Sequence, residues 1–241
     1  SGQTTYTINS TQTRLNIQNL VLPDNFILDA APDVKQIRWT VQNVQIGKKV
    51  LIDLSAKGVP AKQPTERPAR QADYCKWGKT GSDGRRGQAG YNSISATITE
   101  IVSINNNGSL WIRTDGGKGG TSGDGQRGQQ GGGHWASFPP PFCGAGQGGR
   151  GGEPGPLAEG GHVSQVFIAL AEKPNEPYVP QAVTSTCGRT APPKDWDQGG
   201  STIVILGSRG CKGEKGVPGK KGAPGLVPVS PENLEADEAG Y

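Results

Sequence analysis

The 241-residue chain has no methionine, only two histidines and few aromatic residues, which make up 6% of it. His134 and His162 have no neighbours that would complete a metal-binding or catalytic group, and no nucleophile, zinc-protease or phosphate-loop motif occurs. Asp195 and Asp197 could serve glycoside hydrolysis as a carboxylate pair, but a solvated loop explains them and no second catalytic feature accompanies them. The sequence therefore predicts that the protein is not an enzyme and holds no metal or cofactor.

Hydrophobic residues are also scarce, at 32% of the chain. No apolar run approaches the roughly 20 residues that a membrane-spanning helix needs, so we expect no membrane insertion. The formal net charge of +4 arises from 25 basic and 21 acidic residues, and the two kinds are well mixed along the chain. A nucleic-acid-binding protein instead concentrates basic residues on one face, so we expect no nucleic-acid partner.

The four cysteines, Cys75, Cys143, Cys187 and Cys211, are widely spaced and form no Cys-x-x-Cys pair. This spacing argues against a zinc site. A chain with so few hydrophobic residues gains stability from cross-links, so two disulfides are expected. Three pairings fit the sequence equally well. Disulfides are typical of exported proteins, so we expect an extracellular or cell-surface location.

Glycine is the residue that the chain has in excess, with 39 of them. A polyproline II helix has three residues per turn, so a glycine at every third position leaves one bare edge against which another backbone can pack. Four segments of the chain have such a pattern. In the second of them, 116–131, Gly117, Gly120 and Gly123 form a further set of glycines three residues apart, which overlaps the first set. This second bare edge predicts that the run lies at the centre of a bundle. The four glycine runs are 78–90, 116–131, 146–161 and 207–225.

The segments between the glycine runs have strand patterns. Alternating apolar residues predict strands over 4–54 and over 93–104. Asn105–Gly108 predicts a tight hairpin because Asn-Gly readily takes positive φ angles, with 109–114 as the returning strand. Further strands are predicted over 162–170 and 201–206.

The predicted fold class is all-β with polyproline II helices. An antiparallel β-sheet region leads into a bundle of Gly-x-y polyproline II helices, and disulfides cross-link the whole. Three regions are expected along the chain. They are a β-rich N-terminal region over 1–72, a mixed β-strand and polyproline II bundle over 73–226, and a flexible acidic tail over 227–241.

The four glycine runs resemble those of the glycine-rich polyproline II bundle proteins, which include tip adhesins of some phage tail fibres and the snow flea antifreeze protein. For the adhesins, the resemblance implies loops on a rigid scaffold that recognise surface carbohydrate or protein. For the antifreeze protein it implies a flat, weakly charged face that binds ice. Charged residues such as Arg85, Arg86 and Lys212 lie between the glycines here, which argues against ice binding.

The fourth run, 207–225, also resembles the Gly-X-Y triplets of collagen, so a homotrimeric stalk is the alternative to a bundle within one chain. Six triplets without modification would make only a short, weak triple helix. The other three runs lie between strands of the same chain, which tether their ends to one another. Contacts within one chain cost less entropy, so we favour the intramolecular bundle.

Aromatic residues beside the glycine runs are the candidate binding residues. Trp and Tyr combine a flat apolar face with a polar group, which suits sugar stacking or a protein hot spot. Alternatively, these side chains plug the ends of a bundle whose glycines supply none. For Trp39 and Trp111, which lie on alternating strands, core packing is predicted instead. The candidate ligand-binding residues are Tyr74, Trp77, Tyr91, His134, Trp135, Phe138, Phe142 and Trp196.

The sequence thus predicts an extracellular binding protein, either an adhesin or a fibre-tip module, whose partner is a cell-surface glycan or protein. The alternative is a structural, collagen-like or matrix protein that assembles through its glycine runs. A compact monomer would favour the binding protein. A trimer or fibre that forms with increasing concentration would favour the structural protein.

Overall fold

The computed structural model describes residues 3–65, 71–101, 103–106, 108–133, 143, 145–171, 173–178, 181–184, 186–192 and 202–224. The chain divides into two compact units, each assembled from three separate stretches. One, which we call the sheet unit, comprises Ser1–Ala61, Gln88–Gly120 and Ala158–Gly213. The other, which we call the glycine unit, comprises Lys62–Gly87, Thr121–Leu157 and Glu214–Tyr241.

The sheet unit contains twelve β-strands and one short 3-10 turn, Ser10–Gln12, in its described residues. No α-helix occurs in the described part of the chain. That part therefore contains no helix long and apolar enough to cross a membrane. The strands are β1 Thr4–Ile8, β2 Arg14–Leu22, β3 Phe26–Ala30, β4 Gln36–Ile46, β5 Val50–Asp53, β6 Ser95–Ile101, β7 Ser103–Asn106, β8 Ser109–Arg113, β9 Val166–Leu170, β10 Lys173–Tyr178, β11 Gln181–Thr184 and β12 Thr202–Ser208.

The strands form two sheets. Sheet A has the order β1-β3-β5-β8-β12-β11, and sheet B has the order β10-β9-β6-β4-β2, with β7 also paired to β4. From β1 to β6 the chain alternates between the sheets, so each strand pairs with the one two places earlier and runs in the same direction. Among the described residues only β9 and β10 pair antiparallel. The prediction of an antiparallel β region is therefore wrong.

Polar turns that resemble hairpin turns carry the chain from one sheet to the other. Asn25 and Lys49 follow β2 and β4, and both take left-handed backbone conformations, with φ of 58° and 57°. The two turns lie against each other, since the Asn25 amide donates to the Lys48 carbonyl at 2.7 Å. A local turn signal does not reveal whether the chain returns in the same sheet or crosses to the other one, which explains the error.

The predicted hairpin at Asn105–Gly108 is wrong for the same reason, because β7 belongs to sheet B and β8 to sheet A. Gly108 nevertheless has a specific role. A Cβ at this position would overlap the carbonyl group of Gly47 in a neighbouring turn. The amide of Ser109 donates to that same carbonyl at 3.2 Å. Close approach between stacked turns, not hairpin geometry, requires the glycine.

One cluster of apolar side chains forms the core of the sheet unit. Trp39 belongs to it, as predicted, and its Nε1 donates to the carbonyl of Gln12 at 2.9 Å. Trp111 is also buried, but it lies outside this cluster, with the guanidinium of Arg113 5.3 Å from its ring centre. The largest fully buried apolar members of the core are Ile8, Val34, Val41, Val50, Leu54, Ile112, Val166 and Ile205.

The glycine unit is built from extended segments that hydrogen-bond through their backbones at every third residue. Gly78, Gly81 and Gly84 of the first run donate to carbonyls of the third run at 2.7–2.8 Å. In the second run, Gly125 donates to the fourth run at 3.0 Å, and Gln126 donates to the first at 2.9 Å. The second run also accepts bonds from the third. Its bonds to three neighbours confirm the predicted central position.

The two overlapping glycine phases of the second run differ in how tightly they are packed. A Cβ at Gly125 or Gly128 would overlap a carbonyl oxygen of the third run. At Gly123, in the other phase, the nearest atom to such a Cβ is the Arg85 nitrogen at 3.0 Å. The first phase therefore allows no side chain, whereas at Gly123 the backbone of Arg85 would have to move by only a few tenths of an ångström.

The structure confirms the prediction of two disulfides. Cys75 pairs with Cys143 in the glycine unit, and Cys187 pairs with Cys211 in the sheet unit. The Cα–Cα distances are 5.6 Å and 4.8 Å. Both pairs are consistent with an oxidising environment. The predicted acidic tail, 227–241, lies outside the described residues, and the predicted boundary after residue 72 stays a prediction.

Replacement of Gly125 by alanine should destabilise the protein by about 3 kcal/mol or more, because the new methyl group meets backbone that cannot move aside. Gly123→Ala, two residues away in the same segment, serves as the matched control. We expect it to change stability by less than about 1 kcal/mol, since the small shift it requires is offset by the reduced entropy of the unfolded chain. Chemical unfolding of both variants measures the difference, and equal effects would contradict the packing described above.

Candidate functional site

Two large aromatic side chains lie exposed on one short segment of the glycine unit, residues 73–77, which we call the aromatic loop. Trp77 is 74% exposed and Tyr74 is 63% exposed. Both are predicted binding residues, and they are three positions apart, with Cys75 and Lys76 between them. Large aromatic rings bury 150–250 Å² each when they are covered, so this exposure marks a candidate contact surface.

The backbone of the aromatic loop is fixed at several points. Cys75 has a φ of 65°, a left-handed conformation that a non-glycine residue rarely takes, and its disulfide joins the loop to Cys143. The amide of Cys75 donates to the carbonyl of Gly133 at 3.0 Å, and the amide of Gly132 donates to the carbonyl of Lys76 at 2.8 Å. These bonds hold the loop against the two residues that directly follow the second glycine run.

A depression of about 310 Å³ adjoins the aromatic loop and is lined in part by Asp73, Tyr74 and Gly133. Lys76 Nζ lies 3.0 Å from Asp73 Oδ2, and both side chains are well exposed. Such a pair contributes little to stability, but it adds one positive and one negative group to the aromatic loop. A flat ring next to exposed polar groups is an arrangement that can stack on a sugar and hydrogen-bond its hydroxyls.

Of the other predicted binding residues, Tyr91 is the one that lies within the described residues. Tyr91 belongs to the sheet unit, is 38% exposed, and has Lys35 Nζ 5.2 Å from its ring centre. The remaining five lie outside the described residues. They are His134, Trp135, Phe138, Phe142 and Trp196.

A second candidate site, which we call the charged cleft, lies in the sheet unit. It has a volume of about 450 Å³. Strand register places Asp29, Asp53 and Arg113 side by side on β3, β5 and β8. Asp53 and Arg113 each follow a core residue in their strand, so their side chains point to the face of sheet A away from the core. The charged residues that line the cleft are Asp53, Lys57, Asp115, Lys118 and Arg189.

Asp53, which lines the charged cleft, forms a buried ion pair with Arg113. Arg113 donates to both carboxylate oxygens of Asp53, with an Nε–Oδ1 distance of 3.3 Å. Lys57 Nζ bridges 2.6 Å to Asp29 and 3.4 Å to Asp53. Burial raises the pKa of Asp53, but hydrogen bonds from Arg113 and Ser55 and the charges of Arg113 and Lys57 lower it more. Its pKa therefore lies well below the ordinary range for an aspartate.

A second buried carboxylate, that of Asp115, anchors the loop at the rim of the cleft. Thr190 donates to it from its backbone amide at 2.8 Å and from its hydroxyl at 3.0 Å. Ser208 also donates from its amide at 2.9 Å and from its hydroxyl at 3.2 Å. The disulfide between Cys187 and Cys211 holds the same loop from its other side. The position of Arg189, between these anchors, is thereby fixed.

Sequence reasoning missed the charged cleft entirely. A signal was present in the sequence, since Arg113 and Asp53 each come directly after a run of apolar residues at the end of a strand. Pairing those two ends requires the parallel order of β5 beside β8, which an antiparallel prediction cannot provide. Arg189 lies in a loop about 75 residues further along the chain than Arg113, so only the folded structure brings it to the same place.

In the described part of the chain, no group of three or more histidine, cysteine or acidic side chains could hold a metal ion. Comparisons of the chain with known protein families, with curated proteins and with solved structures found no match. The candidate sites therefore have to be interpreted from their own geometry.

Replacement of Asp53 by asparagine should lower the free energy of unfolding by about 3–5 kcal/mol, because it leaves the buried guanidinium of Arg113 without a counter-charge. Asp29→Asn is the matched control, since Asp29 also pairs with Lys57 but is more exposed. We expect the control to cost less than about 1 kcal/mol. Urea unfolding of the two variants provides the measurement, and a small loss in Asp53→Asn would contradict the role of the ion pair.

The depressed pKa of Asp53 also predicts how stability depends on pH. Above about pH 5, well above the ordinary aspartate pKa of about 3.9, Asp53 is ionised in both the folded and the unfolded chain and its stabilising contribution is complete. As the pH falls below about 5, the unfolded chain takes up a proton that the folded protein does not, so this contribution is progressively lost.

Unfolding measured between pH 5 and pH 3 should therefore show a smaller loss of stability in Asp53→Asn than in the unaltered protein. The difference in slope should approach about 1.4 kcal/mol per pH unit at the acid end. Identical slopes for the two proteins would show that Asp53 does not keep its charge on folding.

Proposed function

We propose that the protein is an extracellular binding protein, an adhesin or fibre-tip module, that recognises cell-surface carbohydrate or protein through its aromatic loop. The observation that carries this proposal is the exposure of Trp77, at 74%, on a loop whose backbone is fixed. An exposed tryptophan on a rigid loop is typical of a recognition surface, because Trp is among the residues that dominate binding energy.

The fixed backbone of the aromatic loop supports recognition over simple capping of the bundle. A side chain that plugs a bundle is buried by the residues it covers, whereas Trp77 and Tyr74 keep most of their surface exposed in the described structure. A loop that is already ordered loses little conformational freedom on binding, which favours affinity. The disulfide of Cys75 and the bonds to Gly132 and Gly133 supply that order.

We further propose that the glycine segments are polyproline II helices, which would make them a stiff support for the aromatic loop. Their backbone bonds recur at every third residue, for example at Gly78, Gly81 and Gly84, which matches the three residues per turn of this helix. Such a bundle resembles the scaffold of the phage tail-fibre tip adhesins. The two disulfides support the proposal that the protein is secreted.

A glycan array combined with a cell-binding assay tests the proposed function. The unaltered protein should bind saturably, and Trp77→Ala should weaken binding about thirtyfold or more, since truncation of a hot-spot tryptophan costs about 2 kcal/mol or more. Tyr6→Ala is the control, because Tyr6 is an exposed aromatic residue of the sheet unit. It should leave binding unchanged, and unfolding curves should show that both variants are folded.

The outcome that would overturn this proposal is a protein that binds neither glycans nor cells. If light scattering then showed assembly into trimers or fibres with increasing concentration, the alternative, a collagen-like matrix protein, would account for the glycine runs. Equal weakening by Trp77→Ala and Tyr6→Ala would also contradict recognition through the aromatic loop.

A further inference from the structure

We propose that the charged cleft of the sheet unit is a second binding site, which takes a small organic anion bearing a carboxylate, with Arg189 as the main contact. This site is distinct in chemistry from the aromatic loop, and it does not depend on the function proposed above. The volume of about 450 Å³ lies within the range of small-molecule sites and suits a ligand the size of an acidic monosaccharide.

The charges that line the cleft favour an anion. Both carboxylates already accept bonds from the protein, Asp53 from Arg113 and Asp115 from Thr190. Three cations, Lys57, Lys118 and Arg189, line the cleft together with these two carboxylates, which gives the lining one net positive charge. Arg113 and Asp29 beside it add one charge of each sign and leave this balance unchanged. A cation entering the cleft would have to compete with these groups, whereas an anion is attracted by them.

Arg189 is the cation best placed to meet a ligand. Its side chain is 75% exposed, and its Nη2 forms a long ion pair with Asp53 Oδ2, at 3.6 Å. This separation is too long for a hydrogen bond, so the donors on the guanidinium are available to an incoming group. The guanidinium matches a carboxylate with two parallel hydrogen bonds, which gives both strength and orientation.

The base of the Arg189 side chain is held in place by its neighbours in the chain. Cys187 is cross-linked to Cys211, and Gly188, with a φ of 115°, donates its amide to the Arg209 carbonyl at 3.2 Å. On the other side, Thr190 is bound to the buried carboxylate of Asp115. A loop fixed on both sides of a charged residue presents that residue at little entropic cost.

The other two cations stand on the walls of the cleft with different surroundings. Lys57 is held by Asp29 and Asp53, so its charge is partly neutralised and its position is set. Lys118 is exposed on a glycine-rich segment of the sheet unit. We assign to both a supporting role, in which they raise the local concentration of anions and contact the hydroxyls or ring oxygen of a sugar acid.

Calorimetric titration of the full chain with glucuronate tests this inference. Glucose is the neutral control, and sulfate and inorganic phosphate are the anions without a carboxylate. We expect binding of glucuronate at low salt, weaker binding at 0.15 M salt because charges are screened, and no heat with glucose. Arg189→Gln should weaken glucuronate binding about tenfold or more, as expected for loss of a charge-assisted hydrogen-bond pair.

Arg38→Gln is the matched control, since it removes the same charge from an exposed position on β4 that does not line the cleft. Equal weakening by the two substitutions would overturn the inference, because the effect would then come from net charge. Absence of binding by glucuronate would overturn it as well, and binding of sulfate and phosphate alone would overturn the assignment to a carboxylate. Trp77→Ala should bind glucuronate normally, which separates this site from the aromatic loop.

Discussion

The glycine unit depends on backbone hydrogen bonds between extended segments that approach one another more closely than any side chain would allow. The hydrophobic effect has little to act on here, since these segments carry few apolar groups. Order comes instead from amides such as those of Gly81 and Gly125, which find a carbonyl of a neighbouring segment. The backbones can approach this closely because glycine has no Cβ. The glycines therefore both allow the close approach and donate the hydrogen bonds that hold the segments together.

The sheet unit is stabilised in a different way, by apolar side chains between two sheets and by charged groups on the far face of one of them. The pair formed by Asp53 and Arg113 is buried, so its geometry and its counter-charges decide whether it stabilises the fold. Lys57 adds a further positive charge beside it. The buried carboxylates of Asp53 and Asp115 are thus satisfied by donors of the protein itself.

Some of this structure could be predicted from the sequence and some could not. A glycine at every third residue indicates where backbones must meet. The central position of the second run could be predicted because Gly117, Gly120 and Gly123 add a second bare edge to the first. The pairing of the strands could not be predicted, because the alternation of apolar and polar residues shows which side of a strand is buried but not which strand lies next to it. The charged cleft depends on that neighbour relation, as Asp53 beside Arg113 shows. Tyr74 and Trp77 of the aromatic loop could be named from the sequence because both come just before the first glycine run.

The spacing of the hydrogen bonds in the glycine unit also limits how the length of the chain can vary. An insertion of one or two residues would move every later glycine away from the backbone that it contacts, whereas three residues would preserve the phase. The second run is bonded to the first, third and fourth, so extra residues in it find partners only if those neighbours lengthen too. Related chains of different length would therefore differ by multiples of three residues in each glycine run, and in several runs at once.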